Sequence, residues 1–287
     1  MENTILFLVI FTIIVILGFF LAVWIVKANK AIRLKEITIK NSKIPESFSG
    51  YRIVQVTDLH NDEFGENNIN LINKVKEGRP DIIVITGDFI DSRFTDIDVS
   101  VKVARQFVKI APTYYIAGNH ESRLSEYPPF KEELIAMGIT VLDNEQIKLE
   151  KNNEYINLSG VTDIAFNDEY QIDEDDFKAL KQHLSQIEFD SSAYTILLSH
   201  RPEFIDIYAS TRVDLILSGH THGGQACLPF IGGIFAPGQG FFPKYDSGVF
   251  DISDVTTMII GKGLGRSLFP YRVNNNPEVI VVELMAE

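Results

Sequence analysis

Residues 51–60 read YRIVQVTDLH and residues 81–88 read DIIVITGD. In each, a short apolar run stops at a threonine and gives way to a turn carrying carboxylate or imidazole. Tyr51 to Thr57 has the β-branched content of a strand, and Asp81 to Thr86 is the continuous apolar run expected of a strand buried on both faces. Between them, Asn67 to Lys76 has helical spacing. The pattern repeats: Val99 to Ile110 reads as helix, Thr113 to Ala117 as strand, Phe130 to Met137 as helix, and Tyr194 to Ser199 and Val213 to Ser218 as further short strands. Such alternation predicts an α/β fold. Asp173 to Glu188 opens with acidic residues and then places Phe177, Leu180, Leu184 and Ile187 on one face, which predicts an amphipathic helix. A calcium loop would need Asp-x-Asp-x-Asp-Gly spacing, which is missing. From about Asp246 onward, Gly248 to Ile252, Thr256 to Ile260 and Glu278 to Leu284 predict a second sheet.

Five of the six histidines follow these apolar runs directly. In order they give Asp58-Leu59-His60, Gly87-Asp88, Gly118-Asn119-His120-Glu121, Ser199-His200 and Gly219-His220-Thr221-His222-Gly223-Gly224. Ligands of open α/β sheets collect outside the carboxyl ends of strands. Residues two apart on extended backbone point the same way, so Asp58 with His60, and His220 with His222, can each address one site. A lone Asp-x-His is more often a surface turn, and a lone His200 a satisfied loop residue; the ordered set predicts a shared metal site.

Asp58, His60, Asp88, Asn119, His200, His220 and His222 offer oxygen and imidazole without thiolate, a donor set suited to Mn, Fe, Zn or Mg. They are too many for one ion. Two divalent ions fit, with Asp88 donating to both and holding them about 3.5 to 4 Å apart, so that a hydroxide between them can attack phosphorus in line. His120 is then placed to protonate the leaving oxygen or stabilise the transition state, and Glu121 either orients it or is a plain solvent-exposed side chain. Arg201, Arg266 and Arg272 are candidate phosphate clamps, with surface or structural roles as the equal alternative. Gly261 to Gly265 lacks dinucleotide-loop spacing and reads as a loop near the site. The segment Leu228 to Phe242 is apolar but broken by Gly and Pro, and is expected to form a loop over the site that touches lipid or an acyl chain; packing against the second sheet is the plainer alternative.

In that order, the series resembles the calcineurin-like metallophosphoesterase superfamily over roughly Tyr51 to Leu284. The resemblance implies a four-layer α/β/β/α sandwich, with Asp58, His60, Asp88 and His222 around one metal and Asp88, Asn119, His200 and His220 around the other. It gives His120 the catalytic histidine role. The N-terminal anchor, the run continuing to Gln225 and the tail Gly263 to Arg272 are similar to a membrane-associated bacterial branch, some of whose members cleave the pyrophosphate of UDP-diacylglucosamine or act on phospholipid-like substrates.

The chain has 287 residues, 45% of them hydrophobic, with net charge −13. It is long and apolar enough for a large globular domain. Its acidity, with no long basic run after the first fifty residues, gives no footprint for binding nucleic acid. The single Cys227 excludes an internal disulfide and a cysteine-type zinc site. Residues 1–30 hold an uncharged stretch, Ile5 to Val26, about 33 Å long as a helix and enough to cross a bilayer. Glu2, the lack of an early basic residue and the lack of an Ala-x-Ala site argue against a cleaved signal. Lys27, Lys30, Arg33, Lys35, Lys40 and Lys43 follow the span, so a single-pass anchor with a cytoplasmic domain is expected. Residues 31–50 read as a basic juxtamembrane linker and 51–287 as the metallophosphoesterase domain. The expected function is a membrane-anchored phosphohydrolase; the alternative is a metal-stabilised scaffold that recruits a protein partner to the membrane.

Overall fold

Within each central strand, alternate side chains enter different cores, and this divides the chain into layers. A computed structural model describes residues 2–164, 174–190, 192–267 and 269–287. The first sheet comprises β1 (Arg33–Asn41), β2 (Tyr51–Val56), β3 (Ile82–Thr86), β4 (Thr113–Ile116), β5 (Thr140–Val141) and a last strand, Glu278–Ala286. The second comprises β6 (Glu145–Lys151), β7 (Glu154–Gly160), β8 (Thr195–Leu198), β9 (Leu215–Ser218) and two strands at Gly248–Asp251 and Thr257–Ile260. Short pairs at Cys227–Leu228 (β10) with Gly232–Gly233 (β11), and at Phe235–Ala236 (β12) with Gly240–Phe241 (β13), lie between. The last three long strands are therefore β14, β15 and β16, and the sheet orders are β1-β16-β2-β3-β4-β5 and β14-β15-β9-β8-β7-β6.

Ile53, Ile82, Val84 and Ile280 of the first sheet meet Leu158, Ile196, Leu217 and Ile259 of the second in one buried core. On the outer face of the first sheet, Val54, Ile83 and Val281 pack on Leu71 and Val75 of α2 (Ile69–Glu77), Phe107 of α3 (Ile97–Phe107) and Phe130 of α4 (Tyr127–Ala136). On the outer face of the second, Leu197, Ile216 and Met258 pack on Leu180 of α5 (Glu174–Ser185) and Ile207 of α6 (Ile205–Ala209). The result is the α/β/β/α order of layers. Of the helix expected from Asp173, the first residue lies outside the described residues.

Residues 31–50 are not a free linker: β1 pairs in parallel with β16 along nine residues, and Ile37 and Ile39 pack on the intersheet core while the lysines and Glu36 face outward or partly so. Likewise β16 does not join a C-terminal sheet; it inserts between β1 and β2, and only β14 and β15 extend the second sheet. Both cases come from long-range pairing, which local pattern does not encode.

β16 runs antiparallel to β2, and β1 parallel to β16. Hence β1 begins at the rim where β2, β3 and β4 end. The helix α1 (Glu2–Lys30) therefore meets the domain at that rim. Its apolar side chains from Ile5 to Phe20 are exposed all round. Its last turn is held by the Asn29 amide, which donates to Arg272 O at 2.8 Å while its oxygen accepts from Arg272 N at 2.7 Å; Lys30 Nζ donates to Glu63 O at 2.6 Å, and Asn276 Nδ2 to Ala28 O at 2.8 Å.

Candidate metal centre

The chain turns sharply where β2, β3 and β9 end. Asp58, His60, Asp88, His220 and His222 have φ of 52, 49, 50, 71 and 49°, left-handed values that side chains other than glycine, Asn and Asp seldom adopt. The extended backbone expected for Asp58-x-His60 and His220-x-His222 is thus not what brings each pair together. The turns aim both members at one point instead.

Asp88 Oδ2 lies 3.5 Å from His60 Nε2 on one side and 3.3 Å from His200 Nε2 on the other. Around the first point, His60 Nε2 and His222 Nε2 are 3.1 Å apart, and Asp58 Oδ1 is 4.0 and 3.7 Å from them. Around the second, His200 Nε2 is 3.1 Å from Asn119 Oδ1 and 3.2 Å from His220 Nδ1. Donors at about 2.0–2.2 Å from one ion are about 3.0–3.6 Å from each other. Most of these separations fit, with Asp58 slightly wide. All seven residues are buried.

Neighbouring groups hold the donors in place. His200 Nδ1 sits 2.8 Å from Thr86 O, which keeps a proton on Nδ1 and points Nε2 at the centre. Asp88 Oδ1 accepts from His120 N at 2.8 Å, leaving Oδ2 for the centre. Asp58 accepts from Thr57 Oγ1 at 2.7 Å and from His220 N at 3.1 Å. Gln55, from β2, donates to Ser218 O and Thr86 Oγ1, tying the sheets together beneath the site. The loop Gly261 to Gly265 closes over Asp58, and a Cβ on Gly263 would come 2.7 Å from Asp58 Cβ. Burial pushes Asp58 up to about 6 and His60 down to about 3, both towards neutrality. Burial disfavours charge on His200 as well, but Asp88 lifts it to about 10. Buried carboxylates and imidazoles that crowd one another in this way suit a cation, whose charge would balance them.

His120 stands beside the first cluster, its ring 4.4 Å from that of His60. Ser92 N donates to His120 Nδ1 at 3.0 Å, and Asp91 Oδ1 is 3.5 Å from the same nitrogen. Glu121 does not orient it. Fully buried, Glu121 accepts from the backbone N–H groups of Asp88, Phe89, Ile90 and Gly118, so it holds two site loops in register. Burial and Asp88 push its carboxyl up to about 7. Glu121→Ala strands four N–H donors, at about 1–3 kcal/mol each where water cannot reach. Stability is expected to fall by about 4 kcal/mol or more, read from the urea midpoint of the detergent-solubilised chain; an unchanged midpoint would refute this bracing role.

Of the three arginines expected at substrate, Arg201 lines the cavity over the centre, its Nε 2.9 Å from Asp163. Arg266 is turned away to Asp62, at 2.6 Å, in a groove beside α1. Arg272 is buried behind His222, donating to Gly265 O at 2.7 Å and Lys262 O at 2.7 Å, with Nη2 3.1 Å from His222 Nδ1. Neither lines the cavity over the centre. Arg93 and Arg123 line the cavity in their stead, with Phe235, Pro237 and Ser267. Sequence reasoning passed over Asp91 and Arg93, although both lie within five residues of Asp88 in the same turn; Arg123 carries no spacing signal.

Residues 51–224 match the family described as calcineurin-like phosphoesterase. The chain belongs to this family. Over 263 residues it is 32% identical to an uncharacterized metallophosphoesterase, YkuE, of Bacillus subtilis, covering 88% of this chain and 85% of that one. It is 27% identical over 296 residues to a transmembrane protein with metallophosphoesterase domain of Danio rerio, spanning 99% of this chain but 63% of the relative. A crystal structure of a dimetal phosphatase from Danio rerio superposes with a TM-score of 0.45 and 13% identity, covering 75% of this chain and 88% of the other. As a calcineurin-like phosphoesterase with buried clusters of metal-ligating side chains, the chain is a metal-dependent phosphoesterase.

Proposed function

We propose that the chain is a membrane-anchored phosphohydrolase that uses two divalent cations to cleave phosphoester or pyrophosphate bonds, including those of lipid-linked substrates. The observation that carries this reading is the position of Asp88 Oδ2 between two donor clusters. Asp58, His60, His222 and Asp88 would hold one cation, and Asp88, Asn119, His200 and His220 the other. Bound divalent cations supply Lewis acidity, neutralising charge on phosphoryl oxygens and lowering the pKa of water. The chain's own residues do the rest. Because Ser92 N donates to Nδ1, His120 in its neutral form carries its proton on Nε2 and presents it to the cavity, where it serves the leaving oxygen. Arg93, Arg123 and Arg201 line the cavity, each within reach of a substrate phosphate bound there. In this reading Glu2–Lys30 crosses a membrane once, and Lys27 and Lys30 at the end of the helix favour the cytoplasmic side for the domain.

Chelation provides the test. The full chain in detergent, stripped with a chelator, is expected to lose hydrolysis of bis-nitrophenyl phosphate and to regain it with Mn, Fe, Zn or Mg as two ions bind per chain. Full activity at one ion per chain would end the dinuclear reading. Two ions with no hydrolysis of any phosphate mono- or diester or pyrophosphate would favour a binding scaffold.

A further inference from the structure

Large apolar side chains stand exposed on two neighbouring segments near the cavity: Phe230, Ile231, Phe241 and Phe242 on one, Phe269 and Tyr271 on the other. The two segments are joined. Ala226 bridges Val273, and Cys227 N donates to Val273 O at 3.0 Å. The second segment also touches the anchor, since Pro270 and Tyr271 line a groove with Val26, Asn29 and Lys30 of α1, and Arg272 is bonded both ways to Asn29. Val26 belongs to the apolar stretch itself, about 6 Å along the axis before Lys30.

We propose that these segments dock into the headgroup region of the phospholipid bilayer that holds α1, so that the mouth of the metal cavity opens at the membrane surface. This rests on α1 being a membrane anchor. Three observations point to a bilayer as occupant. Strand direction places the end of α1 at the same rim as the metal cluster. The hydrogen bonds at Asn29, Lys30 and Asn276 fix the helix end against that rim, so a membrane containing α1 must pass beside Tyr271. The exposed set is rich in aromatic side chains, which favour the interface over both water and hydrocarbon. The docked loops also wall the cavity: Phe235 lines it, and its ring lies 5.4 Å from that of exposed Phe241. A membrane-borne phosphate ester would then present its headgroup to the cavity while its acyl chains stay in the bilayer.

Trp24 is the chain's single tryptophan, so depth can be read by moving it. The full chain is placed in phosphatidylethanolamine–phosphatidylglycerol vesicles whose acyl chains are brominated near the headgroup. Variants carry Trp24→Phe with Phe230→Trp, Tyr271→Trp or Val255→Trp. Val255 precedes β15, which runs parallel to β9, and so lies at the rim opposite the site. Hydrolysis of a soluble aryl phosphate confirms that each variant is folded. At positions 230 and 271 emission is expected to be quenched about twofold or more, as at an interfacial depth, and at 255 not at all. If 230 and 271 behave like 255 while Trp24 of the parent chain is quenched, the docking is refuted and the anchor stands. If Trp24 is also unquenched, the anchor reading fails, and the docking with it.

Discussion

Asp88→Asn is expected to lower kcat/KM by about a thousand-fold or more, roughly 4 kcal/mol of transition-state stabilisation, and to reduce bound metal to one ion or fewer per chain. Asparagine keeps the shape and the Oδ1 acceptor for His120 N–H, so the loop should survive. It loses the negative charge between His60 Nε2 and His200 Nε2. No other carboxylate among the described residues comes within 4 Å of imidazoles from both clusters. The buried neighbours Asp58 and Glu121 are themselves acidic, so removal of one charge should not unfold the site. Metal analysis after dialysis, paired with hydrolysis rates, decides the matter: two ions retained at parental affinity would show that Asp88 does not join the clusters.

His120→Ala should act on chemistry while metal content stays at the parental level. Loss of a positioned proton donor is expected to cost about 10²- to 10⁴-fold in kcat. The size should depend on the leaving group. An alkoxide needs a proton as the bond breaks and nitrophenolate does not, so alkyl esters should suffer more than nitrophenyl esters. Equal losses for both would refute proton donation and leave only transition-state hydrogen bonding. Asp91 and the Ser92 hydroxyl, which lies 3.1 Å from Nδ1, support the ring from behind, so Ser92→Ala should shift this leaving-group dependence while metal content stays unchanged.

Much of the site was legible because each donor follows an apolar run, and a strand's carboxyl end in a layered α/β fold is a predictable place. Asp58, His60, Asp88, Asn119, His120, His200, His220 and His222 all come to that rim. The route by which they converge was not legible, because left-handed turns at five of them leave no mark in periodicity. Arg266 and Arg272 illustrate a different blind spot: whether an arginine faces substrate or a backbone carbonyl depends on residues far away in sequence, here Asp62, Gly265 and Lys262. The hairpin of β6 and β7 was recoverable in principle. Ile147 and Leu149 alternate with polar residues, and Asn152-Asn153, with φ of 52 and 66°, form the turn that such a pair favours. β1 was harder to see, since its lysines and arginine look like membrane-flanking charge until a partner strand is known.

That partner has a consequence for biosynthesis. The segment that becomes β1 leaves the ribosome directly after the span, yet the strand it must lie against is made about 240 residues later. At translation speeds of about 5–20 residues per second, β1 waits on the order of 10 to 50 seconds with its edge open. Closure of the first sheet must wait until Glu278–Ala286 has been made, and the metal rim that this sheet helps to carry cannot be complete before then.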